Sequence, residues 1–464
     1  MTPLRAFCVA CVVYVIVITS ICAGREALAA EQPQPDSRKQ YREQAAKAFQ
    51  NDDLRQAENL LLQALHDAER RKPDGRDVFV SLIELAWCDL AAEKHAAGIG
   101  NFRRALALSE TNHGAQTLET AVCFAWLGEL QLRQQDLDAA RSAFERGAKL
   151  LDAAAVLCSE RVLCARGLGQ VAVAEVDYAR AEESFKTALS LLHDDGMKGG
   201  TPNSELFRSP FRPTFPTEAA TLNALGGLYQ AQKRWSEAEQ AYRQALGLVE
   251  KEAAPESGAL PAALNALASL YLEQTNFTAA RPLLERSLSA QEQAVGPMHP
   301  VLVQTLSNLA LAEDKLADNA SAERDYRRIL AIREKSLGPD HIRAQDSLRD
   351  LSRLYLKQKD LAAAEPLCCR MLTREEAFRG ETSITLTPIL SDLEMIYGQQ
   401  EKLAQLEAVY QKQLRVFESA FGPQNNAVAK VLEEYASLLH RQHREAESAK
   451  LEERARAIRS AAPK

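Results

Sequence analysis

The sequence repeats itself every 42 residues between about Thr217 and Asn426. One register is largely aromatic and contains Tyr229, Tyr271, Glu313, Tyr355 and Tyr397. A second register holds small residues and contains Ala238, Ala280, Ala322 and Ala364, with Leu406 next in line. A third contains Gly296, Gly338, Gly380 and Gly422. A fixed period of this length predicts an array of stacked structural repeats, because one repeat cannot bury its apolar faces alone.

Each repeat is predicted to form two amphipathic helices. In Thr217–Val249, Leu222 and Leu225 belong to an apolar stripe whose members recur at spacings of three, four and seven residues. The small residues Gly226 and Ala238 lie where the two helices must approach each other closely. A larger side chain at either position would force the helices apart.

The pattern of small residues at the eighth and twentieth positions, with bulky residues between them, resembles the tetratricopeptide repeat. The 42-residue period and the loops Val295–Pro300, Leu337–His341 and Phe421–Pro423 resemble the kinesin-light-chain type. In these loops, glycine is expected to form a left-handed cap and the following proline to stop the helix. The resemblance implies an all-α, right-handed superhelical solenoid of about ten helical hairpins. It also implies a concave groove that binds a protein or peptide partner.

Earlier repeats follow the same pattern at steps of 41 or 42 residues. Their eighth positions are Ala45, Ala86, Gly128 and Gly169, and their twentieth positions are Ala57, Gly98, Ala140 and Ala181. The bulky packing residues are Leu61, Phe102, Phe144 and Phe185. Turns inside the hairpins are predicted at Asn51-Asp52-Asp53, Gln135-Asp136 and Val176-Asp177. A tenth repeat, Ala427–Ala461, has Ala436 at its eighth position, and its charged second helix is expected to cap the array.

The predicted organisation has six segments. They are a signal peptide or N-terminal anchor (1–30), a spacer (31–37), repeats one to four (38–192), a Pro/Gly-rich insert (193–217), repeats five to nine (218–426), and a capping repeat with its tail (427–464). Arg5, the apolar run Ala6–Gly24 and the small residues of Ala27–Ala29 favour a cleaved signal. The alternative is a retained membrane anchor. Both place the repeats outside the cytoplasm, periplasmic or secreted if the segment is cleaved.

The insert contains Phe207, Phe211 and Phe215 among several prolines and glycines. A loop of this length within a compact fold is usually functional or disordered. One interpretation is that its aromatic residues pack on the outer or end surface of the array. The other is that Phe211 and Phe215 lie in the groove and occupy the ligand site.

No motif in the sequence indicates catalysis. The chain has a net charge of −7 without a sustained basic run, which argues against a nucleic-acid scaffold. Phosphate-binding loops, zinc-protease helices and nucleophile elbows are absent from it. His440 and His443 are one helical turn apart, but no third metal ligand is evident. We therefore expect no catalytic residue, metal or cofactor.

The cysteines permit two interpretations. Cys88, Cys123, Cys158, Cys164, Cys368 and Cys369 follow the signal segment. Small buried apolar side chains would account for all of them. Because the expected compartment is oxidising, Cys158 and Cys164 are a candidate disulfide pair.

The candidate peptide-binding residues lie on the first helices of repeats five to eight, at positions expected to face the groove. They are Asn223, Asn265, Ser307, Asn308, Arg349, Arg353 and Lys357. The asparagines resemble those through which the family holds peptide backbones. The three cations are spaced four residues apart and could grip a carboxylate. Alternatively, they belong to a solvated helix face that Asp346 and Asp350 balance.

Three functions remain open. The first is an exported scaffold that binds a protein or peptide in its groove without catalysis. The second is a structural tether of an envelope complex, held to the membrane only through an uncleaved N-terminal segment. The third is an enzyme with a site in the groove, for which a cluster of titratable groups with mutually shifted pKa values would be evidence.

Overall fold

A computed structural model of the chain describes residues 37–51, 53–154, 158–193, 209–212, 217–251 and 258–461. All regular structure within these ranges is helical, which confirms the predicted all-α architecture of helical hairpins. The predicted signal segment and all but the last residue of the spacer lie outside the described residues. The chain divides into an N-terminal unit, residues 1–241, and a C-terminal unit, residues 242–464.

The N-terminal unit contains four hairpins and the first helix of a fifth. Its helices are α1 (Ser37–Gln50), α2 (Leu54–Arg71), α3 (Arg76–Ala91), α4 (His95–His113), α5 (Leu118–Arg133), α6 (Leu137–Ala153), α7 (Ser159–Ala174), α8 (Tyr178–His193) and α9 (Glu218–Ala231). Odd-numbered helices are the first helices of their hairpins. Each of α1, α3, α5 and α7 packs on its own second helix, and each second helix up to α8 packs on the first helix of the next hairpin.

The C-terminal unit contains five hairpins built in the same way. Helix α10 (Trp235–Lys251) contains the division between the units. The hairpin helices are α11 (Ala259–Glu273), α12 (Phe277–Val295), α13 (Leu302–Lys315), α14 (Asn319–Leu337), α15 (Ile342–Gln358), α16 (Leu361–Arg379), α17 (Thr387–Gln399), α18 (Leu403–Phe421), α19 (Asn426–Arg441) and α20 (Glu445–Ala461). A short 3₁₀ turn, Ile384–Leu386, precedes α17.

Small residues lie against bulky side chains as the register predicts. A Cβ atom added to Gly128 would lie 2.7 Å from the ring of Phe144, and one added to Gly169 would lie 2.6 Å from the ring of Phe185. A Cβ atom added to Gly167 would lie still closer to the Phe144 ring, at 2.3 Å. Both rings are fully buried. The phenylalanines therefore fill space that only glycine leaves open.

The turns inside the hairpins close the first helix with a left-handed residue. At the Gln135 turn, the Asp136 N–H donates to the Gln131 carbonyl at 3.0 Å. This is the Schellman arrangement, which satisfies a carbonyl at the end of the helix. The Asp136 carboxylate then accepts from the Ala139 N–H and caps α6. The same conformation recurs at Glu93, Val176, Lys233, Thr275, Ala317, Lys359, Glu401 and His443. The predicted turns at Gln135-Asp136 and Val176-Asp177 are confirmed, whereas Asp52 lies outside the described residues.

The glycine caps between repeats differ from the prediction in one angle. Gly338 has a φ of 91° and a ψ of 154°, and its N–H donates to Glu334. The positive φ was expected, but the left-handed helical ψ was wrong. Pro339 disfavours a helical conformation at the residue before it. Gly380, which precedes Glu381, has the same extended ψ, so the path of the loop also requires it. This region of conformational space is open almost solely to glycine.

We expect Gly167→Ala to destabilise the protein by about 1–3 kcal/mol, because the new methyl group would overlap the buried Phe144 ring. The matched control is Gly100→Ala on α4, where a Cβ meets no atom within 4 Å. That change should be neutral or stabilise by up to about 1 kcal/mol through helix propensity. Urea denaturation followed by circular dichroism measures both. Equal midpoints for the two variants would contradict the packing argument.

Candidate functional site

Asn265 on α11 offers an unused hydrogen-bond acceptor in the C-terminal unit. Its Nδ2 donates to the Thr305 Oγ1 of α13 at 3.0 Å. Its Oδ1 is buried and has no hydrogen-bond partner among the described residues. The side chain is thus held in place by its Nδ2, while its Oδ1 lies almost out of contact with solvent. Its role in binding a ligand stays a prediction.

Ser307 and Asn308 on α13 are occupied by their own helix. The Ser307 hydroxyl donates to the Val303 carbonyl at 2.8 Å. The Asn308 Oδ1 accepts from the Gln304 Nε2 at 3.3 Å. A ligand would have to replace these contacts, so both residues are weaker candidates than Asn265.

The predicted cationic residues of α15 are exposed, and each has an aspartate neighbour. Arg349 lies 3.0 Å from Asp346, and Arg353 lies 3.7 Å from Asp350. Lys357 donates to the Asp314 carboxylate at 2.7 Å. The structure therefore shows the balanced, solvated face that was one of the two interpretations. A carboxylate ligand would have to compete with these aspartates.

Asn223, the remaining predicted residue, lies on α9 in the N-terminal unit. Its Oδ1 is also buried without a hydrogen-bond partner among the described residues. Asn223 and Asn265 occupy the same register position and share this unsatisfied acceptor. The role of both amides in ligand binding stays a prediction.

The first helices of the N-terminal unit differ, because two of them are buried on every side. All residues from Val78 to Leu90 of α3 are buried, as are those from Thr120 to Gln131 of α5. Trp87 and Trp126 pack edge to face here, with ring centroids 5.9 Å apart. Sequence reasoning missed this covered surface. The sequence does contain one indication of this covered surface. Trp87 lies one residue after the eighth position of its repeat, where the C-terminal repeats have a polar residue such as Ser269 or Arg353.

The Pro/Gly-rich insert covers part of this first-helix surface. Phe211 is almost fully buried, and its ring lies edge to face with Phe49 of α1, at a centroid distance of 5.4 Å. Phe211 therefore packs on first helices and not on the outer or end surface of the hairpins. Phe207 and Phe215 lie outside the described residues.

Polar groups on either side of Phe211 bind buried carboxylates. The Ser209 hydroxyl donates to the Glu84 Oε1 at 2.7 Å, and Arg42 donates to both oxygens of the same carboxylate. Arg212 donates to the Glu160 Oε1 at 2.6 Å and to Ser159 at 3.0 Å.

Cys158 and Cys164 are separate, buried thiols in the structure. Burial, with a smaller contribution from the nearby Glu160, raises the pKa of Cys158 to about 12 and the pKa of Cys164 well above its ordinary value. Both are therefore protonated and unreactive at neutral pH. The disulfide between them stays a prediction.

No metal-binding cluster of three or more candidate ligands occurs in the described part of the chain. The His440 Nδ1 lies 2.7 Å from a Glu445 oxygen, and His443 is the left-handed residue of the last turn. Within the same ranges, no helix has both the length and the apolar character needed to cross a membrane.

A family model of the tetratricopeptide repeat matches the chain three times, over residues 217–293, 259–335 and 301–370. The same hairpins, small-residue contacts and left-handed turns continue on both sides of the matched region. Residues 217–370 of the chain are therefore tetratricopeptide repeats.

Several solved structures are similar to this protein. A tetratricopeptide repeat protein from Parabacteroides merdae is 13% identical, with a TM-score of 0.43 over 69% of this chain and 100% of that chain. The apo quorum sensor NprR from B. thuringiensis is 14% identical, with a TM-score of 0.41 over 80% and 99%. BtubC (BKLC) from P. vanneervenii is 16% identical, with a TM-score of 0.34 over 50% and 94%. A comparison with curated proteins gives no significant match.

The aromatic register of the repeats contains one buried acid. Its tyrosines, Tyr229, Tyr271, Tyr355 and Tyr397, each place their hydroxyl within hydrogen-bond distance of the preceding second helix. Glu313 takes the place of tyrosine on α13, with Arg281 at 3.7 Å and Arg324 at 3.9 Å. Burial, and then the nearby Asp325, raise the pKa of Glu313 to about 7, although both arginines oppose the shift.

We expect the stability of this protein to fall as the pH rises from about 4.5 to about 7. The folded state keeps Glu313 protonated to a higher pH than the unfolded chain, so it binds more protons in this window. Glu313→Gln should raise stability at pH 8 by on the order of 1–3 kcal/mol and change it little at pH 4.5. Urea midpoints at both pH values measure this.

The control for this experiment is Glu273→Gln, which alters an exposed carboxyl on α11. In this variant, the difference between the urea midpoints at pH 4.5 and pH 8 should be the same as in the wild-type protein. An unchanged difference in the Glu313→Gln protein would show that this carboxyl does not titrate with a raised pKa.

Proposed function

We propose that this protein is an exported tetratricopeptide scaffold that binds a protein or peptide partner and has no catalytic role. The binding surface is the first-helix face of the C-terminal unit, formed by the ligand-facing residues of α11, α13 and α15. The observation that carries the proposal is the partly exposed Asn265 side chain, which Thr305 holds in place and whose Oδ1 has no hydrogen-bond partner among the described residues.

This face is accessible to a ligand. Asn265, Ser269 and Ser307 are partly exposed, and Leu311 and Arg353 are exposed. Rigid helices hold these side chains before a partner arrives, so little ordering entropy is lost by the protein on binding. Repeat proteins use such extended surfaces for binding.

The chemistry of the face favours an extended peptide with an acidic side chain. An unsatisfied buried acceptor costs about 1–3 kcal/mol, and a peptide N–H donated to Asn265 would relieve that cost. Arg349 and Arg353 supply guanidinium groups that bind carboxylates in bidentate geometry. Because Asp346 and Asp350 already lie beside them, a ligand carboxylate gains only where it displaces these neighbours.

The carboxyls whose pKa values are raised the most do not lie on this face. Glu313 and Asp89, with pKa values raised to about 7 and about 6 chiefly by burial, are almost fully buried. A substrate could not reach either carboxyl without opening the hairpins. This supports binding over catalysis.

Export rests on the N-terminal segment, for which cleavage after residue 29 or 30 is the simplest outcome. A mature N-terminus at Ala30 or Glu31, determined by mass spectrometry of the native protein, would support the exported form. An intact N-terminus would favour the membrane-tethered alternative.

Partner capture from the native extracytoplasmic fraction tests the binding surface. We expect wild-type protein to retain a partner that Asn265→Ala/Arg349→Glu/Arg353→Glu loses by tenfold or more, since one acceptor and two cations are removed. The matched control is Arg286→Glu/Arg327→Glu, which reverses two exposed charges on the second helices α12 and α14. Circular dichroism would establish that both variants are folded.

Equal capture by wild type and the triple variant would place the site elsewhere on the chain. Loss of the partner from both variants would show that net charge, and not the proposed face, governs capture.

A further inference from the structure

We propose that the first-helix face of the N-terminal unit is a second peptide site, which recognises an aromatic residue followed by arginine. In this structure the protein's own Ser209–Arg212 occupies it. The inference rests on the proposed function in assuming that this protein binds peptides, but it concerns a different face.

The hairpins stack without the insert. Helix α8 packs directly on α7 and on α9, although the insert separates α8 from α9 in sequence. The segment Ser209–Arg212 is a single turn, with a hydrogen bond from the Arg212 N–H to the Ser209 carbonyl at 3.2 Å. It therefore lies on the array as a short peptide and is not one of the repeats.

Phe211 is the apolar anchor of this peptide. Its side chain is 1% exposed and belongs to the same apolar cluster as Trp87 and Trp126. Burying an aromatic side chain of this size strongly favours the bound state. An anchor in a desolvated pocket is typical of the residues that dominate peptide binding.

Arg212 gives the site its charge preference. Glu160 is fully buried and accepts from Arg212 on one oxygen, while its Oε2 has no hydrogen-bond partner among the described residues. A buried carboxylate without a cation would be strongly unfavourable. The face thus requires a positively charged group at this point, and the second oxygen could accept a further N–H from a guanidinium.

Ser209 occupies the other side of the anchor. Its hydroxyl donates to Glu84, a fully buried carboxylate that Arg42 already neutralises. Ser81, one helical turn before Glu84, has a buried hydroxyl without a hydrogen-bond partner in the described ranges. Helix α3 therefore has more hydrogen-bonding groups on this face than Ser209 uses. Such a surplus is expected of a site that can bind a longer peptide than this segment.

A peptide from a partner would have to displace the internal segment. A tethered ligand has an effective concentration in the millimolar range, so it strongly reduces the apparent affinity for a free peptide. The internal segment therefore acts as a competitor of the partner, and its removal should expose the site.

The test uses the full-length mature protein and fluorescein-labelled Ser-Pro-Phe-Arg-amide, followed by fluorescence anisotropy. We expect Phe211→Ala/Arg212→Ala to bind this peptide at least tenfold more tightly than wild type. The same peptide with glutamate in place of arginine should bind at least tenfold more weakly. In the double-variant background, Glu160→Gln should weaken binding of the arginine peptide, whereas the exposed control Glu145→Gln on α6 should not.

Several outcomes would overturn the proposal. A folded double variant that binds neither peptide, or both equally, would show that the face has no Phe–Arg specificity. If the double variant does not fold, Arg212→Ala alone removes the ion pair to Glu160 and weakens the internal competitor, so it should bind the peptide more tightly than wild type. Absence of binding there identifies the segment as a permanent part of the core. A wild-type dimer that exchanges this segment, seen by size-exclusion chromatography, would make a second copy the occupant.

This experiment separates the two proposals. Phe211→Ala/Arg212→Ala leaves Asn265, Arg349 and Arg353 unchanged. Continued partner capture without peptide binding would reject the second site and leave the scaffold function standing.

Discussion

The fold of the N-terminal unit depends on contacts between small residues of the first helices and aromatic rings of the second helices. Phe144 shows how far one such contact reaches. Its ring lies against Gly128 in its own hairpin and against Gly167 in the next hairpin. One side chain therefore sets both the spacing within a hairpin and the spacing between two hairpins. Because neighbours supply most of the buried area in a repeat array, such contacts also fix where the ligand-facing side chains lie.

Features encoded within one repeat could be predicted, and features that join distant segments could not. The register predicted the hairpins, the turn at Gln135 and the exposed position of Arg353, because all depend on residues a few positions apart. The extended ψ of Gly338 was missed because the loop path and Pro339 together determine it. Contact between Ser209 and Glu84 joins residues 125 apart, and the insert follows no period, so no local pattern could indicate it.

The two first-helix faces offer opposite chemistry on equivalent helices. In the N-terminal unit, the carboxylates of Glu84 and Glu160 lie within an aromatic and aliphatic surface. In the C-terminal unit, the face is open and its α15 portion carries Arg349, Arg353 and Lys357. Desolvated carboxylates impose a strict requirement for a cation, whereas exposed cations with aspartate neighbours impose a weak preference. If both faces bind peptides as proposed, affinity and specificity should be concentrated in the N-terminal face, and the C-terminal face should tolerate more varied sequences.

Glu313 shows what replaces a tyrosine when the register is broken. A tyrosine such as Tyr355 stabilises its position by burying a ring and hydrogen-bonding one neighbouring helix. Glu313 buries less apolar area and depends on Arg281 and Arg324, which belong to the second helices of two different hairpins. Removal of either arginine would leave a buried carboxylate undercompensated, so this position links three helices by charge balance. Stability at this one junction is therefore sensitive to pH and to the loss of either arginine, whereas the tyrosine junctions depend mainly on apolar burial.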